Sequence, residues 1–533
     1  MLTGDQEIAL QQIIRFIQNP DETAYTLRGY AGTGKSFLTR HIFEWCYSKN
    51  ITVAGVCPTH KARKVLEQVL NNNSIYHVTT MTVASFLSKL KQHSYVGSKT
   101  FVGKGSKANL FDLFIIDECS MISDKDALEI ISHISTNKKK ALFIGDNAQI
   151  PNPSQAYFQN EDGSISKKDS TAFDFPTSSL TTIVRQQNDN PLLEIYTKIR
   201  NDLFSEPEIE RKNNIVNGKG IKFYSDKELF LAKIKRDLLK CDDILLYKVI
   251  TYTNDSVKSY NHFIRGVLNY TDKFVVGDIL MGYNNVGFPI PIIENGQEYE
   301  ITGVNNVENH LIVYYTQKFY CKGTITKCKI IGTEKEIIFF FPDISNAELF
   351  STLKLLATNV NKKGSTKEDF KKYSSLKNQL CFMENIFDLS GTIMSESKLK
   401  DDHPKLFNLV SNYIDNVAGK LVIKSSKNVE KIETLYPGLL QSRILDNKIF
   451  GDSERLIDKF QLIEKDIDYG YAITAHKSQG STYHTVYIDE LDFDKIGNRW
   501  NSKYEAEENG TKEKNQLKYV AYTRPTNVAV ALF

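Results

Sequence analysis

The stretch Gly29-Tyr30-Ala31-Gly32-Thr33-Gly34-Lys35-Ser36 decides how this chain of 533 residues is organised. The strand-like residues 24–28 precede it, and the helical run 37–42 follows it. In that setting, a glycine followed after four residues by Gly-Lys-Ser predicts a phosphate-binding loop. Glycines let successive backbone N–H groups point at phosphate oxygens, and the helix N-terminus adds partial positive charge. The alternative interpretation is a glycine-rich turn with a solvated lysine, which the complete pattern disfavours.

Each residue type in this loop has its own task in binding a nucleoside triphosphate. The backbone that wraps the phosphates would come from Gly29, Ala31, Gly32, Thr33 and Gly34. Lys35 would reach the β and γ phosphates, and the Ser36 hydroxyl would ligate Mg²⁺.

Two acids follow the apolar run 113–116, which has the character of a buried strand in a parallel sheet. Asp117 would hold Mg²⁺, and Glu118 would orient and deprotonate the attacking water. The alternative is an exposed acidic turn, which the preceding apolar run disfavours. A further apolar run, 141–144, leads to Gln149, which could sense the γ phosphate. Together these motifs predict hydrolysis of a nucleoside triphosphate.

Composition and charge exclude several classes of protein. The chain has 67 Lys and Arg against 64 Asp and Glu, a formal net charge of +3, so binding to nucleic acid would need a local channel. No apolar run approaches the ~18 residues of a membrane helix, and the start of the chain lacks the pattern of a secretory signal. We therefore expect a cytoplasmic protein with no membrane contact. Seven scattered cysteines indicate reduced thiols and no paired zinc site.

Taken in order, these segments resemble the subfamily B group of the superfamily 1 helicases, which includes the phage Dda helicase and RecD-like enzymes. The resemblance covers most of the chain. Besides the phosphate loop, it rests on residues 2–6, 58–62, 117–121, 145–151, 180–186, 471–482 and 520–524. The sequence departs from the family pattern at Ala84, where a histidine is usual, and at Pro525, which follows Arg524.

The resemblance implies roles that the residues alone would not give. Gln6 would read the adenine of ATP, Gly480 would contact the nucleotide, and Arg185 and Arg524 would be arginine fingers. Without the resemblance, Arg185 would be interpreted as a surface ion pair and Arg524 as a buried structural pair. The implied contacts to single-stranded DNA are Pro58, Thr59, His60, Lys61, Phe86, Thr253, Asn254, His476, Lys477 and Ser478. A structural hydrogen-bonding role is the alternative for His476.

The implied fold is α/β, with two RecA-like P-loop motor domains built on parallel sheets. The first domain would span 1–180 and carry an inserted β-hairpin at 88–110, either a pin that splits the duplex or a simple surface hairpin. The second would combine 181–276 with 466–533. Between them, 277–465 would form an SH3-like accessory domain, although residues 345–455 give no clear pattern. We interpret residues 493–516 as a polar insertion.

The sequence therefore predicts an ATP-dependent DNA helicase that uses Mg²⁺, moves along single-stranded DNA with implied 5′ to 3′ polarity, and unwinds forked duplexes. Two alternatives stay open: the motor subunit of a nuclease or recombination complex, and an ATP-switched single-stranded DNA-binding module that does not unwind. Single-stranded DNA-binding or replisome proteins are candidate partners. A functional monomer is expected, and the compact design suggests a phage origin.

Overall fold

The computed structural model of the chain describes residues 2–533 apart from 94–98, 104–105, 153–156, 160–164, 168, 185–189, 288–290, 344, 362–365, 389–413, 418–419, 424–459 and 500–510. Arg185 and the turn of the predicted hairpin therefore lie outside the described residues. In the described part, three sheets of five or six strands form the framework. None of the helices described there is both long and apolar enough to span a membrane.

The first 180 residues build a parallel sheet in which helices connect most of the strands. In chain order the elements are α1 (Gly4–Gln18), β1 (Ala24–Gly29), α2 (Lys35–Ser48), β2 (Val53–Cys57), α3 (His60–Asn72), β3 (Thr79–Thr82), α4 (Val83–Phe86), β4 (Lys89–His93), β5 (Lys99–Gly103), β6 (Leu113–Ile116), α5 (Asp124–Thr136), β7 (Lys140–Gly145), β8 (Tyr157–Gln159), β9 (Ile165–Lys167) and β10 (Thr177–Leu180). Six strands form the first sheet, in the order β10-β1-β7-β6-β2-β3, and every pair is parallel. Because β1, β7 and β6 are neighbours, their carboxyl ends bring the phosphate loop and the two acids to one edge.

The remainder of the described chain contains two further sheets of five or six strands, besides two-stranded pairs. Its helices and strands are α6 (Leu192–Asn201), β11 (Asn214–Val216), β12 (Lys219–Tyr224), α7 (Lys227–Leu238), β13 (Tyr247–Thr251), α8 (Asn254–Val267), β14 (Ile279–Gly282), β15 (Glu298–Tyr314), β16 (Gln317–Ile330), β17 (Glu336–Pro342), α9 (Ala347–Asn361), α10 (Lys367–Lys377), β18 (Ile386–Asp388), β19 (Ile414–Val417), β20 (Lys420–Ile423), β21 (Phe460–Ile463), β22 (Ile467–Tyr469), β23 (Ala472–Thr474), α11 (Ala475–Ser478), β24 (Tyr483–Asp489), α12 (Glu490–Phe493), α13 (Thr511–Tyr522) and β25 (Pro525–Leu532).

The second sheet is assembled from two distant parts of the chain. Its order is β11-β12-β25-β24-β13-β23, and all pairs are parallel except β11 with β12. Strands β11 to β13 come from 214–251, whereas β23 to β25 come from 472–532. The prediction of an α/β protein built on parallel sheets is therefore confirmed.

The third sheet is antiparallel and contains strands from the predicted accessory segment, in the order β17-β16-β15-β14-β22. We placed the end of that segment at 465, but β22 at 467–469 pairs with β14 and so belongs to this sheet. Ile467, in this strand, is buried in the core of the third sheet. An SH3-like barrel stays a prediction. Strands β4 and β5 pair antiparallel, and their role as a pin also stays a prediction.

Helix α13 corrects our interpretation of residues 511–516, the last part of the predicted polar insertion 493–516. The helix begins at Thr511 and is buried along its length. Two of its buried polar side chains have partners: Asn515 Nδ2 donates to three carbonyl oxygens between 202 and 205, and Lys518 Nζ lies 3.3 Å from Glu490 Oε2. Burial of polar groups is tolerated when they are hydrogen-bonded or paired.

Candidate nucleotide and DNA site

The phosphate loop joins β1 to α2 at the carboxyl edge of the first sheet. Gly32 and Gly34 take φ values of 82° and 77°, a region that residues with a Cβ rarely adopt. Lys35 Nζ donates hydrogen bonds to the carbonyl oxygens of Gly29, at 2.8 Å, and Tyr30, at 3.1 Å. A Cβ added to Gly29 would lie within 3.0 Å of two atoms of the loop itself. The loop backbone is therefore closely wrapped, as is typical of a phosphate-binding loop.

Gln6 is buried against this loop. Its Oε1 accepts from the backbone N–H of Thr3 at 3.0 Å, and its Nε2 donates to the carbonyl oxygen of Thr33 at 2.8 Å. The first bond ties the side chain to the start of α1, and the second ties it to the phosphate loop. The structure thus places Gln6 beside the nucleotide loop, and its role in reading adenine stays a prediction.

Asp117 and Glu118 follow β6 directly. Burial raises the pKa of Asp117 to about 7, and the neighbouring Glu118 carboxylate adds to the effect, while a bond from the Glu118 backbone N–H and the charge of Lys35 oppose it. Glu118 adopts a φ of 53°, a left-handed conformation that costs roughly 1–2 kcal/mol for a residue with a Cβ. Strain of this kind is concentrated at functional sites, so the backbone supports a functional role for this carboxylate.

Three buried polar atoms near the carboxyl ends of β6 and β7 have no hydrogen-bond partner among the described residues. They are Glu118 Oε2, Ser120 Oγ and Gln149 Oε1. Buried polar groups are nearly always paired, so these atoms fit a site that receives a polar ligand or water. The Ser36 hydroxyl and the Asp117 carboxylate are hard oxygen donors of the type that Mg²⁺ prefers. In the described part of the chain, no three His, Cys, Asp or Glu side chains are grouped to hold a metal. A Mg²⁺ ion held by few protein side chains typically takes its other ligands from substrate phosphates and water.

Direct hydrogen bonds join this edge of the first sheet to elements of the second. The backbone N–H of Ala31, in the phosphate loop, donates to the Tyr519 hydroxyl of α13 at 2.9 Å. That hydroxyl donates to Asp146 Oδ2 at 2.6 Å. Gln479 Nε2 donates to the carbonyl oxygen of Ile150 at 3.2 Å. We call this set of contacts the seam, and it places the phosphate loop between the two parallel sheets.

The predicted arginine fingers differ in what the structure describes. The Arg524 guanidinium is buried and donates to three carbonyl oxygens, those of Ser478, Ser481 and Val520. It therefore holds the turn around Gly480, whose φ is 75°. These contacts give Arg524 a buried structural role through carbonyl oxygens, and its action as a finger stays a prediction. Arg185 lies outside the described residues.

Pro58, Thr59, His60 and Lys61 follow β2 and begin α3, and all four are partly exposed. The Thr59 hydroxyl caps the helix by accepting a backbone N–H at 3.1 Å. Burial lowers the pKa of His60 below its usual value. Burial also lowers the pKa of Lys61 to about 8, although the nearby Glu298 carboxylate opposes this shift. A lysine held in this way still has an ammonium group to offer to a phosphate below that pH.

On the second sheet, Lys477 is held by the segment between β14 and β15. Its Nζ lies 3.4 Å from the centre of the Tyr283 ring and 3.4 Å from Asn295 Oδ1. The His476 ring lies 6.3 Å from the ring of Tyr252. Lys477 and His476 follow β23 and are partly exposed, as is the neighbouring Tyr283, and such groups suit contact with a phosphodiester chain.

Thr253 and Asn254 lie at the carboxyl end of β13. The Thr253 hydroxyl accepts the backbone N–H of Ser256 at 3.2 Å and donates to Asp492 Oδ1 at 3.0 Å, so it caps α8. Asn254 is exposed. The structure therefore leaves Asn254 open to a ligand, while the Thr253 hydroxyl is already engaged.

Two predicted DNA contacts are wrong as side-chain contacts. Phe86 is 1% exposed, and its ring packs edge-on at 4.9 Å from the ring of Phe114, so it cannot stack on a base. Ser478 is fully buried, and its hydroxyl donates to the carbonyl oxygen of Ala475 at 2.8 Å. Both residues shape the core beneath the surface that we predicted them to form.

Sequence reasoning missed Tyr283, Glu298 and Tyr519. Tyr283 lies between two lysines, with Lys465 Nζ 3.7 Å and Lys477 Nζ 3.4 Å from its ring. Glu298 pairs with Lys248, whose Nζ lies 2.5 Å from its Oε1. Tyr519 directly precedes the block 520–524 that the sequence singles out, and this closeness in sequence is the one available signal.

A phosphate loop, a lysine and two acids at one sheet edge, with a second parallel sheet against the loop, define a P-loop nucleoside triphosphatase. Residues 1–216 match the family described as "AAA domain". Over 525 residues the chain is 24% identical to an uncharacterized protein, R530, of Acanthamoeba polyphaga mimivirus, covering 92% of this chain and 94% of that protein.

Two relatives carry names that state an activity. The chain is 28% identical over 318 residues to the ATP-dependent DNA helicase Dda of Enterobacteria phage T4, covering 56% of this chain and 66% of that protein. It is 28% identical over 168 residues to the ATP-dependent RecD2 DNA helicase of Deinococcus radiodurans, covering 32% of this chain and 20% of that protein. The resemblance to Dda and RecD-like helicases is thereby confirmed.

Among solved structures, the chain is similar to the Pif1 helicase from Bacteroides in complex with ADP-AlF3 and single-stranded DNA. The two share 14% sequence identity with a TM-score of 0.45, and the match covers 99% of this chain and 92% of that chain.

Proposed function

We propose that this chain is an ATP-dependent DNA helicase that moves along single-stranded DNA in the 5′ to 3′ direction and unwinds forked duplexes. One observation carries the proposal: the phosphate loop lies at the seam, where Ala31 is hydrogen-bonded to Tyr519. A nucleotide bound there would touch elements of both parallel sheets. Its hydrolysis would then change how the sheets fit together, which is how a motor converts chemistry into movement.

In the hydrolysis step, each residue of the first sheet's edge has a distinct task. Lys35 would leave the carbonyl oxygens of its own loop and pair with the phosphates. Ser36 and Asp117 would hold Mg²⁺, which would neutralise developing charge on the phosphates. Glu118 would orient the attacking water and accept its proton, and Gln149 would contact the γ phosphate. Arg185 and Arg524 would stabilise the transition state, an effect worth a factor of roughly 10³–10⁵ for an arginine finger.

DNA binding would use the ends of strands from both sheets. The candidates that retain exposure are 58–61 on the first sheet, with Thr253, Asn254, His476 and Lys477 on the second. Lys61 and Lys477 supply positive charge, and contact to phosphates would be insensitive to base sequence. We propose that β4 and β5 form the pin that separates the strands, that the third sheet is part of an SH3-like domain, and that the enzyme acts as a monomer.

The decisive experiment compares duplexes that carry either a 5′ or a 3′ single-stranded tail, with and without ATP and Mg²⁺. We expect ATP-dependent strand separation of the 5′-tailed duplex alone. Unwinding from the 3′ tail would contradict the polarity. DNA-stimulated hydrolysis without strand separation would favour the ATP-switched binding module, and unwinding that appears only with a co-purifying protein would favour the subunit of a complex.

Lys35→Ala is the variant that tests the assignment of the nucleotide site. This change removes the ammonium group that would hold the β and γ phosphates, so DNA-stimulated phosphate release should fall to background. Circular dichroism should show an unchanged fold, because Lys35 bonds only loop carbonyls in the described structure. Retained turnover in the purified variant would refute the assignment of the site.

A further inference from the structure

The Tyr519 hydroxyl occupies a buried position between the phosphate loop and Asp146. It accepts the Ala31 N–H at 2.9 Å and donates to Asp146 Oδ2 at 2.6 Å. Tyr519 and Asp146 are both fully buried. Burial and the adjacent Asp146 carboxylate raise the pKa of Tyr519 well above its usual value, so the hydroxyl keeps its proton and remains able to donate.

Helix α6 also contacts the same loop. The Arg200 guanidinium lies 3.5 Å from the centre of the Tyr30 ring, and its Nη2 lies 3.2 Å from Asp146 Oδ1. The two oxygens of Asp146 are therefore shared between Arg200 and Tyr519. The rings of Tyr196 on α6 and Tyr519 on α13 pack edge to face with their centres 6.4 Å apart, so the two helices that contact the loop also pack against each other.

Through α13, the Tyr519 contact links the phosphate loop to the turn around Gly480. Five residues after Tyr519, Arg524 donates to the carbonyl oxygens of Ser478 and Ser481. Lys477, a candidate DNA contact, is adjacent to that turn. When phosphates enter the loop, the Ala31 N–H must either keep the tyrosine as its acceptor or turn away from it. In the first case α13 stays tied to the loop, and in the second it loses that bond, so the state of the loop decides whether α13 is held.

We propose that Tyr519 is a positioning residue that transmits occupancy of the phosphate loop to α13, and through the Gly480 turn to the DNA-contacting end of the second sheet. The proposal rests on the proposed function, and it names the side chain through which ATP and DNA binding are coupled. It requires no contact between Tyr519 and either ligand.

The test measures the ratio of single-stranded DNA affinities with and without a non-hydrolysable ATP analogue. The probe is a fluorescent oligothymidine, and the variant is Tyr519→Phe, which removes the hydroxyl and keeps the ring. Tyr522→Phe is the matched control, because Tyr522 is equally buried on the same helix and donates to the Glu490 carboxylate, far along the chain from the loop. Each variant leaves its carboxylate with a basic partner, Arg200 in one case and Arg211 in the other.

Coupled binding predicts a wild-type ratio clearly different from one, and typical couplings are about 5-fold to 150-fold. Tyr519→Phe should bring the ratio to within about twofold of one, whereas Tyr522→Phe should keep the wild-type ratio. Because linkage is reciprocal, the affinity for the analogue with and without DNA must change by the same factor. Arg200→Lys, which keeps the charge but loses the guanidinium over the Tyr30 ring, should also bring the ratio closer to one.

A Tyr519→Phe variant with the wild-type ratio would overturn the inference, as would equal losses in both tyrosine variants, which would indicate a purely structural role. If the wild-type protein itself shows a ratio of one and no DNA-stimulated hydrolysis, the proposed function fails and the inference fails with it. A wild-type protein that couples and hydrolyses, beside a Tyr519→Phe variant that does not couple, supports both.

Discussion

Lys61 should make DNA binding depend on pH in a way that an arginine at the same position would not. Its side chain faces Glu298, Lys248 and Arg524, and burial lowers its pKa to about 8 in the DNA-free protein. A phosphate placed beside the ammonium favours the charged form and returns the pKa toward its usual 10.5. Binding therefore retains a proton that the free protein loses as the pH rises above about 8.

The size of the effect follows from these two pKa values. Below about pH 8 the Lys61 side chain of the DNA-free protein is already charged, so the affinity for DNA is highest there. The affinity declines as the pH rises above about 8. Between about pH 7 and about pH 9, a shift of this size lowers the affinity about tenfold. Although burial opposes the change, Lys248 and Lys61 lower the pKa of Glu298, so this carboxylate stays ionised across that range.

The assay is fluorescence anisotropy of a labelled oligothymidine, without nucleotide and at constant ionic strength, because salt alone changes such affinities strongly. Wild-type protein should lose about tenfold in affinity between about pH 7 and about pH 9. Lys61→Arg, which stays charged, should show nearly the same affinity at both pH values. Parallel curves for the two proteins would refute the reasoning, since the titrating group would then lie elsewhere.

Two further predictions concern the phosphate loop and the accessory segment. Gly34→Ala places a Cβ 2.6 Å from Gln6 Nε2 on a backbone with φ 77°, so affinity for an ATP analogue should fall by at least about tenfold in a calorimetric titration. Gly218→Ala has the same φ and no atom within 4 Å, so it should lose about 1–2 kcal/mol of stability and keep that affinity; similar losses of affinity would contradict the role of the loop. Lys377→Met removes the buried ammonium 2.5 Å from Asp466 Oδ2 and should destabilise the protein by about 3–5 kcal/mol in denaturant unfolding. A loss below about 1 kcal/mol would show that the pair is not held in a dry core.

The sequence predicted the first sheet well because its signals were local and strong. The run 113–116 is entirely apolar, and the structure buries all four residues in β6. The phosphate loop has a positive φ at two positions, 32 and 34, and its sequence pattern places glycines at both. Residues 511–516 misled us for the opposite reason: their polarity suggested solvent, whereas their partners lie hundreds of residues away in the chain.

The same limit applies to the site. Lys35, Asp117 and Glu118 were found because neighbouring residues carry the pattern. The contact of Ala31 with Tyr519 joins positions nearly five hundred residues apart, and no periodicity reports on such a pair. Phe86 and Ser478 were misjudged because resemblance gives a residue's place in a motif, not the direction of its side chain. Burial in the folded chain decides that direction.

The divided second sheet has a consequence for how the protein is made. Strand β13 pairs with β23, and Val249 lies opposite Ala472, roughly 220 residues later in the chain. At ribosomal rates of about 5–20 residues per second, β13 waits roughly 10–45 s for that neighbour. Throughout that interval an apolar strand edge is open to other nascent chains. A chaperone that shields β13 during translation should therefore raise the yield of active enzyme, and slow synthesis through the accessory segment should lower it.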